Sequence, residues 1–193
     1  MKFDVIVIGG GWTGCTIAER LVAAGMNICL VSEGLSLAVS GTEKPYARLA
    51  GLQKLGVTVL CGDRAAGGEI AGDKAVCITT RNLGRDTVLE ADTFFLATGK
   101  FFSRGLLSDM QHVWEPVFGA DVYYDPDRTK WSSRSFDDHQ PFMDFGVRTD
   151  NDGHVLISGK AVVNLYAAGD ILAAGSEELD IDSFIEDYEH RVS

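Results

Sequence analysis

From Phe3 to Ile8 the chain is apolar and largely β-branched but for Asp4, and Asn27 to Ser32 repeats an apolar run between polar ends. Neither run alternates with a period of two, so both predict strands buried on both faces, as in a parallel sheet. Between them stand three glycines and a helical stretch carrying Ile17, Ala18, Leu21 and Val22, ended by Gly25. Strand, glycine turn, helix and strand in this order predict a βαβ unit with a right-handed crossover. Residues 34–42 form a small-residue connection, after which Pro45 opens a helix with Leu49, Leu52 and Leu55, closed by Gly56. Val57 to Cys61 predicts a third strand.

Between Glu69 and Glu90, short strand-like pieces are separated by Gly72-Asp73 and Asn82-Leu83-Gly84, the pattern of an antiparallel meander. Thr93 to Ala97 returns to a buried strand. Residues 100–145 show no period, yet hold ten aromatic side chains and three of the four prolines. Such a segment is either a functional or interaction surface or an aromatic cap over the sheet. Gly146 to Ile157 predicts a hairpin around Asp152-Gly153, and Val162 to Ala168 one more buried strand. A final helix presents Ile181, Phe184, Ile185, Tyr188 and Val192 on one face.

The chemistry concentrates at Gly9-Gly10-Gly11-Trp12-Thr13-Gly14, a G-x-G-x-x-G that follows a strand and opens a helix. Gly9 permits the tight turn, Gly11 lets backbone approach a pyrophosphate, and Gly14 allows helix to pack on strand. Glu33, at the end of the second strand, is placed to accept both ribose hydroxyls of an adenosine. An acid there favours FAD or NAD and disfavours the 2′-phosphate of NADP. The expected fold is α/β: a Rossmann-like FAD/NAD(P)-binding fold, a parallel sheet with helices on both faces plus an antiparallel β-meander. It is expected to form a single FAD-binding domain over residues 1–193, with an aromatic-rich insertion at about 100–145.

Composition narrows the partners. Seventeen Lys and Arg face 28 Asp and Glu, a net charge of −11, which repels nucleic acid and anionic lipid. No apolar run approaches the roughly 20 residues of a membrane span, and the start lacks the features of a signal peptide. The expected location is cytoplasmic, peripheral to the inner face of the membrane only through partner subunits. Cys15, Cys29, Cys61 and Cys77 form no C-x-x-C pair and read as buried small hydrophobes, so no metal site is expected. Asp150-x-Asp152-Gly153 lacks the later glutamate of a calcium loop and reads as a turn.

Two further segments carry a resemblance. Leu96-Ala97-Thr98-Gly99 and Asn164-Leu165-Tyr166-Ala167-Ala168-Gly169-Asp170 resemble, in order, late motifs of the flavoproteins with two dinucleotide-binding folds. In those proteins the acid of the last motif holds the flavin's ribityl chain, which favours FAD over NAD. The opening MKFDVIVIGGG, with ATGKFFSRGLL, EPVFGADV and PFMDFGVRTD, is similar to the B subunit of the anaerobic glycerol-3-phosphate dehydrogenases. That resemblance implies a flavin subunit of a complex oxidising glycerol 3-phosphate to dihydroxyacetone phosphate. Electrons would pass through an iron–sulfur membrane subunit to quinone, with a catalytic flavoprotein subunit as a further partner and a homodimer left open. The flavin associated with that family is FMN, whereas the glycine motif and Glu33 argue for the full dinucleotide. The candidate cofactor-binding residues are Gly9, Gly11, Trp12, Thr13, Gly14, Glu33, Ala97, Thr98, Gly99, Gly169, Asp170 and Ile171.

Where the family carries a glycine-rich stretch before its last helix, this chain reads Glu177-Glu178-Leu179-Asp180-Ile181-Asp182. Acids there oppose the helix dipole and imply a lowered flavin potential or loss of the ring site. Lys100, Arg104, Lys130 and Arg134 either converge on a substrate phosphate or form a solvated basic fringe. His112, His139 and His154 are candidate proton acceptors without an identifiable partner, so no catalytic residue is assigned. The leading function is a flavin-dependent oxidoreductase or electron-transfer subunit, inactive alone if it needs its partners. The alternatives are a non-catalytic dinucleotide-binding scaffold and an NAD(H)-dependent reductase.

Overall fold

The structure, a computed structural model, describes residues 1–34 and 45–192. The connection expected at 34–42 lies, beyond Gly34, outside the described residues. The chain runs through β1 (Lys2–Ile8), α1 (Trp12–Ala23), β2 (Ile28–Ser32), α2 (Pro45–Lys54) and β3 (Thr58–Cys61). The meander follows as β4 (Arg64–Ala71), β5 (Lys74–Asn82) and β6 (Arg85–Leu96). Four two-residue strands come next: β7 (Leu107–Ser108), β8 (Val113–Trp114), β9 (Val122–Tyr123) and β10 (Gly146–Val147). β11 (His154–Ile157), β12 (Lys160–Ala167) and α3 (Ile181–Val192) complete it.

The main sheet has the order β11-β12-β6-β1-β2-β3, with β5 and then β4 attached through β6. β1 lies between β2 and β6, parallel to both, with Val7 opposite Leu30 on one side and Phe95 on the other. Central position explains its composition: Ile6 and Val7 are wholly buried, so neither face tolerates a polar side chain.

β6 differs from expectation. The third meander strand and the buried strand predicted from Thr93 are one continuous element. Its first half pairs antiparallel with β5, and its second half pairs parallel with β1 and β12. The meander is therefore fastened directly to the parallel sheet. Asn164 reinforces the join, donating from its amide to the Ala75 carbonyl at 2.9 Å and accepting from the Ala75 N–H at 2.8 Å.

The layers also differ from the expectation of helices on both faces. Among the described residues, α1, α2 and α3 all pack on one face, where Leu21, Leu49, Leu52 and Phe184 meet Val5, Val7, Leu30 and Phe95. The opposite face, with Ile6, Ile8, Val31, Phe94 and Leu96, is covered by the meander and by segment 100–145. The aromatics of that segment are in part a cap: Phe118 meets Phe94 edge to face at 5.8 Å, and Phe145 meets Trp131 at 5.6 Å. Burying one such side chain contributes about 1.5–3 kcal/mol, so a segment without regular structure still has a core of its own. Phe102 and Phe136 remain exposed.

Two smaller expectations are corrected. The Asp150–Gly153 turn does fold the chain back, with Asp150 N–H donating to the His154 carbonyl. Gly146 and Val147, however, pair with β9, and β11 finds its main partner in β12 across Ser158-Gly159. Asp121 selects this arrangement, because its carboxylate accepts the Ser158 and Gly159 amides at 2.9 and 2.7 Å. Cys61 is exposed at the end of edge strand β3, whereas the other three cysteines are buried as expected.

Candidate functional site

The carboxyl ends of the parallel strands finish together. Past the last paired residues, Gly9 N–H donates to the Val31 carbonyl, Ala97 N–H to Ile8 and Ala168 N–H to Leu96, all between 2.8 and 2.9 Å. Ligand sites of open α/β sheets lie outside this edge. A cleft of about 540 Å³ opens there.

Its floor is the glycine turn. Gly9 has φ +117°, and a side chain on it would overlap the Ala97 carbonyl. A Cβ on Gly14 would overlap the Gly9 carbonyl oxygen, so helix and strand meet backbone to backbone. Gly11 is different: a Cβ there would have no neighbour within 4 Å. The space above Gly11 is open, as an approaching diphosphate requires. Gly11 is also the N-cap of α1, with no side chain to satisfy the first N–H groups, and the first turn carries no acid. Those free donors and the helix dipole make an anion site.

Gly9, Gly11, Trp12, Thr13, Glu33, Ala97, Thr98, Gly99 and Asp170 all line the cleft. Glu33 stands at the tip of β2, and Asp170 sits in the turn after β12, beyond the glycines. Gly14 lies beneath the floor. Gly169, with φ +72°, is pressed against Thr13, whose Oγ1 would be 2.5 Å from an added Cβ. Ile171 departs from the expected set: it is wholly buried in the core and offers no side chain to a ligand.

The structure adds lining residues beyond the expected cofactor set. The turn after β6 contributes Phe102, Ser103, Arg104 and Gly105, the start of β4 contributes Arg64, and Pro116 and Val117 close the far wall. Arg104 Nη1 lies 3.3 Å from Glu33 Oε1. The wall at 116–120 is held by Glu115, which is 1% exposed and accepts the Val117, Phe118 and Ala120 amides at 2.6, 2.7 and 3.3 Å. Burial pushes the Glu115 carboxyl above the ordinary carboxylate range, against the opposing pull of those amides. In the sequence, only an acidic residue placed before Pro116 hints at this role.

The four basic residues weighed as a phosphate cluster do not converge. Lys100 Nζ donates to the Met143 carbonyl, and burial lowers its pKa against the influence of Asp144 and Asp170. Lys130 faces Asp125 and Asp127, and Arg134 is exposed on the surface. Each candidate histidine is matched with a carboxylate near it in the chain: His112 with Asp109, His139 with Asp144 at 2.8 Å, and His154 with Asp150 at 3.1 Å. None of the three lines the cleft. The acids before α3 have local duties. Asp180 accepts the Asp182 amide and the Ser183 hydroxyl, while Glu178 accepts the Gly169 amide at 3.1 Å.

An open parallel sheet with a glycine-floored cleft and an uncapped helix defines a dinucleotide-binding protein. Comparison with known families is more specific: residues 38–179 match the FAD binding domain family, and the chain belongs to that family. The matched stretch contains Ala97–Gly99 and Gly169–Ile171 and begins after the glycine turn. The chain is 39% identical over 125 residues to the B subunit of anaerobic glycerol-3-phosphate dehydrogenase from Actinobacillus succinogenes, covering 62% of this chain and 29% of that protein. The corresponding B subunit from Vibrio cholerae is 40% identical over 116 residues, with 59% and 26% covered. The chain thus spans under a third of the length of these relatives. Among solved structures, the FAD-complexed glycerol-3-phosphate dehydrogenase of Bacillus halodurans overlaps 51% of this chain and 34% of its own at TM-score 0.44 and 14% identity. Among the described residues no helix is long and apolar enough to cross a membrane.

FAD is the family's cofactor, and the residues present fit it. The open space over Gly11, the free N–H groups of α1 and acids at both ends of the cleft match a diphosphate flanked by two hydroxyl-bearing chains. Thr98 Oγ1 is a buried side-chain polar atom without a protein partner, and it stands in the same wall.

Proposed function

We propose that this chain is the FAD-holding part of an oxidoreductase related to the B subunit of anaerobic glycerol-3-phosphate dehydrogenase. The observation that carries the reading is the uncapped start of α1, with open space over Gly11 at the carboxyl edge of the sheet. FAD, when bound, supplies the electron-carrying chemistry. The protein binds and orients it. The α1 N–H groups take the diphosphate, Glu33 accepts hydroxyls of the adenosine ribose, and Asp170 accepts hydroxyls of the ribityl chain. Trp12, Thr13 and the Ala97–Gly99 turn shape the middle of the cleft. Glycerol 3-phosphate is the proposed substrate of the assembled enzyme, with electrons leaving through an iron–sulfur partner at the membrane.

No residue is assigned to proton removal from the substrate, since the histidines stand away from the cleft. That chemistry is assigned to partner subunits or to chain beyond the described cleft. The test is direct. The purified chain is incubated with FAD, desalted, and its visible flavin absorption recorded, with the released cofactor identified by mass spectrometry. Stoichiometric FAD is the expected result. Colourless protein with no uptake by calorimetry overturns the reading, and turnover with nicotinamide alone replaces it.

A further inference from the structure

We propose that Arg104 is a positioning residue that fixes the Glu33 carboxylate and thereby sets the preference of the cleft for an adenosine with its 2′-hydroxyl. The proposal rests on the FAD reading above and gives Arg104 a role other than the substrate-phosphate contact that its charge suggests.

The strand order places β6 and β2 on either side of β1. Arg104 follows β6 and Glu33 follows β2, so their contact at 3.3 Å passes over the end of β1, where the glycine turn lies. Both side chains are largely solvated, 63% and 45% exposed, and an ion pair of that kind contributes little to folding. Yet the turn that carries Arg104 is expensive. Arg104 has φ +62°, a left-handed conformation that a non-glycine residue adopts at a cost. It is held there by Arg104 N–H to the Phe101 carbonyl at 3.2 Å and Gly105 N–H to the Lys100 carbonyl at 3.0 Å. Gly105 allows no substitute, because a Cβ would overlap the Gly99 carbonyl and sit 2.6 Å from Thr98 Oγ1. Strain that folding does not recover clusters at ligand sites.

The chemistry gives the strained turn a use. A glutamate at a strand tip samples several rotamers, and gripping two hydroxyls requires one of them. A guanidinium engaging Oε1 restricts that freedom while leaving acceptor sites for both hydroxyls. Arg104 then acts through Glu33, before the ligand arrives.

The experiment uses calorimetric binding of ADP and 2′-deoxy-ADP to the full chain, with circular dichroism as the control for folding. Wild type is expected to favour ADP by about tenfold, the scale of one charge-assisted hydrogen bond. Arg104→Gln is expected to weaken ADP about fivefold and to cut the preference to about twofold, with Arg104→Lys restoring part of both. In a Glu33→Gln background, Arg104→Gln should change nothing further. An unchanged preference in Arg104→Gln overturns the proposal and leaves the FAD reading intact. An additional loss in the Glu33→Gln background also overturns it, by showing that Arg104 acts on the ligand directly. Failure of wild type to bind ADP removes both.

Discussion

Around the glycine turn, backbone meets backbone: side chains are missing where Gly9 approaches Ala97 and where Gly14 approaches Gly9. Across residues 100–145, the segment that supplies the far wall of the same cleft at Pro116 and Val117, carboxylates hold the backbone instead. Asp109 accepts the Gln111 and His112 amides at 2.7 Å, Asp127 the Thr129 amide at 3.0 Å, and Glu115 the amides of the 117–120 turn. One wall is shaped by excluding atoms and the other by placing charge. The first should fail when an atom is added, and the second when a charge is removed or the pH is changed.

The largest effect is expected from Gly14→Ala. The added methyl meets the Gly9 carbonyl, which belongs to the turn and cannot retreat, so a loss of about 3 kcal/mol or more in denaturant unfolding follows. Gly11→Ala is its control. The same methyl enters open space, so stability should hold within about 0.5 kcal/mol while FAD affinity drops about tenfold. Equal destabilisation by the two changes would break the distinction between a packing glycine and a ligand-facing one.

Glu115→Ala comes next, with an expected loss of about 2 kcal/mol, because the buried N–H groups of Val117 and Phe118 lose their acceptor. The sign of its pH dependence is set by burial, which raises the native pKa above the unfolded one. The native state therefore holds the proton more tightly. The Glu115 contribution is complete below the ordinary carboxylate pKa and is lost as pH rises through the raised native value. Stability curves of wild type and Glu115→Ala should converge with rising pH. A gap that widens instead would mean that the amides, not burial, dominate at this site.

The smallest effect concerns Glu178, whose carboxylate accepts the Gly169 amide beside Thr13 at the start of α1. A negative charge there competes with a diphosphate for the same positive potential. Glu178→Gln keeps an acceptor for the amide and should raise FAD affinity about threefold at low salt, less at high salt. Unchanged or weaker binding would show that this acid serves packing alone.

The two walls also differ in how much of them the sequence discloses. β1, α1 and β2 are local: their periodicities, the G-x-G-x-x-G and Glu33 fall within one βαβ unit, so short-range pattern suffices. The 100–145 wall is organised by side chain to backbone bonds and by contacts far apart in the chain, such as Gly68 N–H to the Val117 carbonyl at 2.7 Å. No period announces such contacts. The same limit hides the continuity of β6, where polar Glu90 and Asp92 interrupt the apolar run although the backbone stays extended. It also hides the contact of Arg104 with Glu33, which lies far back in the sequence. Helices are expected on both faces because parallel sheets are usually covered that way. Here the meander and the aromatic cap perform that covering on one side.

The central place of the first strand has a consequence for biosynthesis. β1 and β2 leave the ribosome before β6 and are free to pair at once, but the other edge of β1 stays bare until residues 90–96 have been translated. Through that interval Val5 to Ile8 present an unpaired, oily ridge, the kind of edge that invites association between nascent chains. A slow stretch of translation ahead of residue 96, or depletion of the chaperones that shield emerging strands, should lower the yield of soluble protein before any effect on the finished molecule is seen.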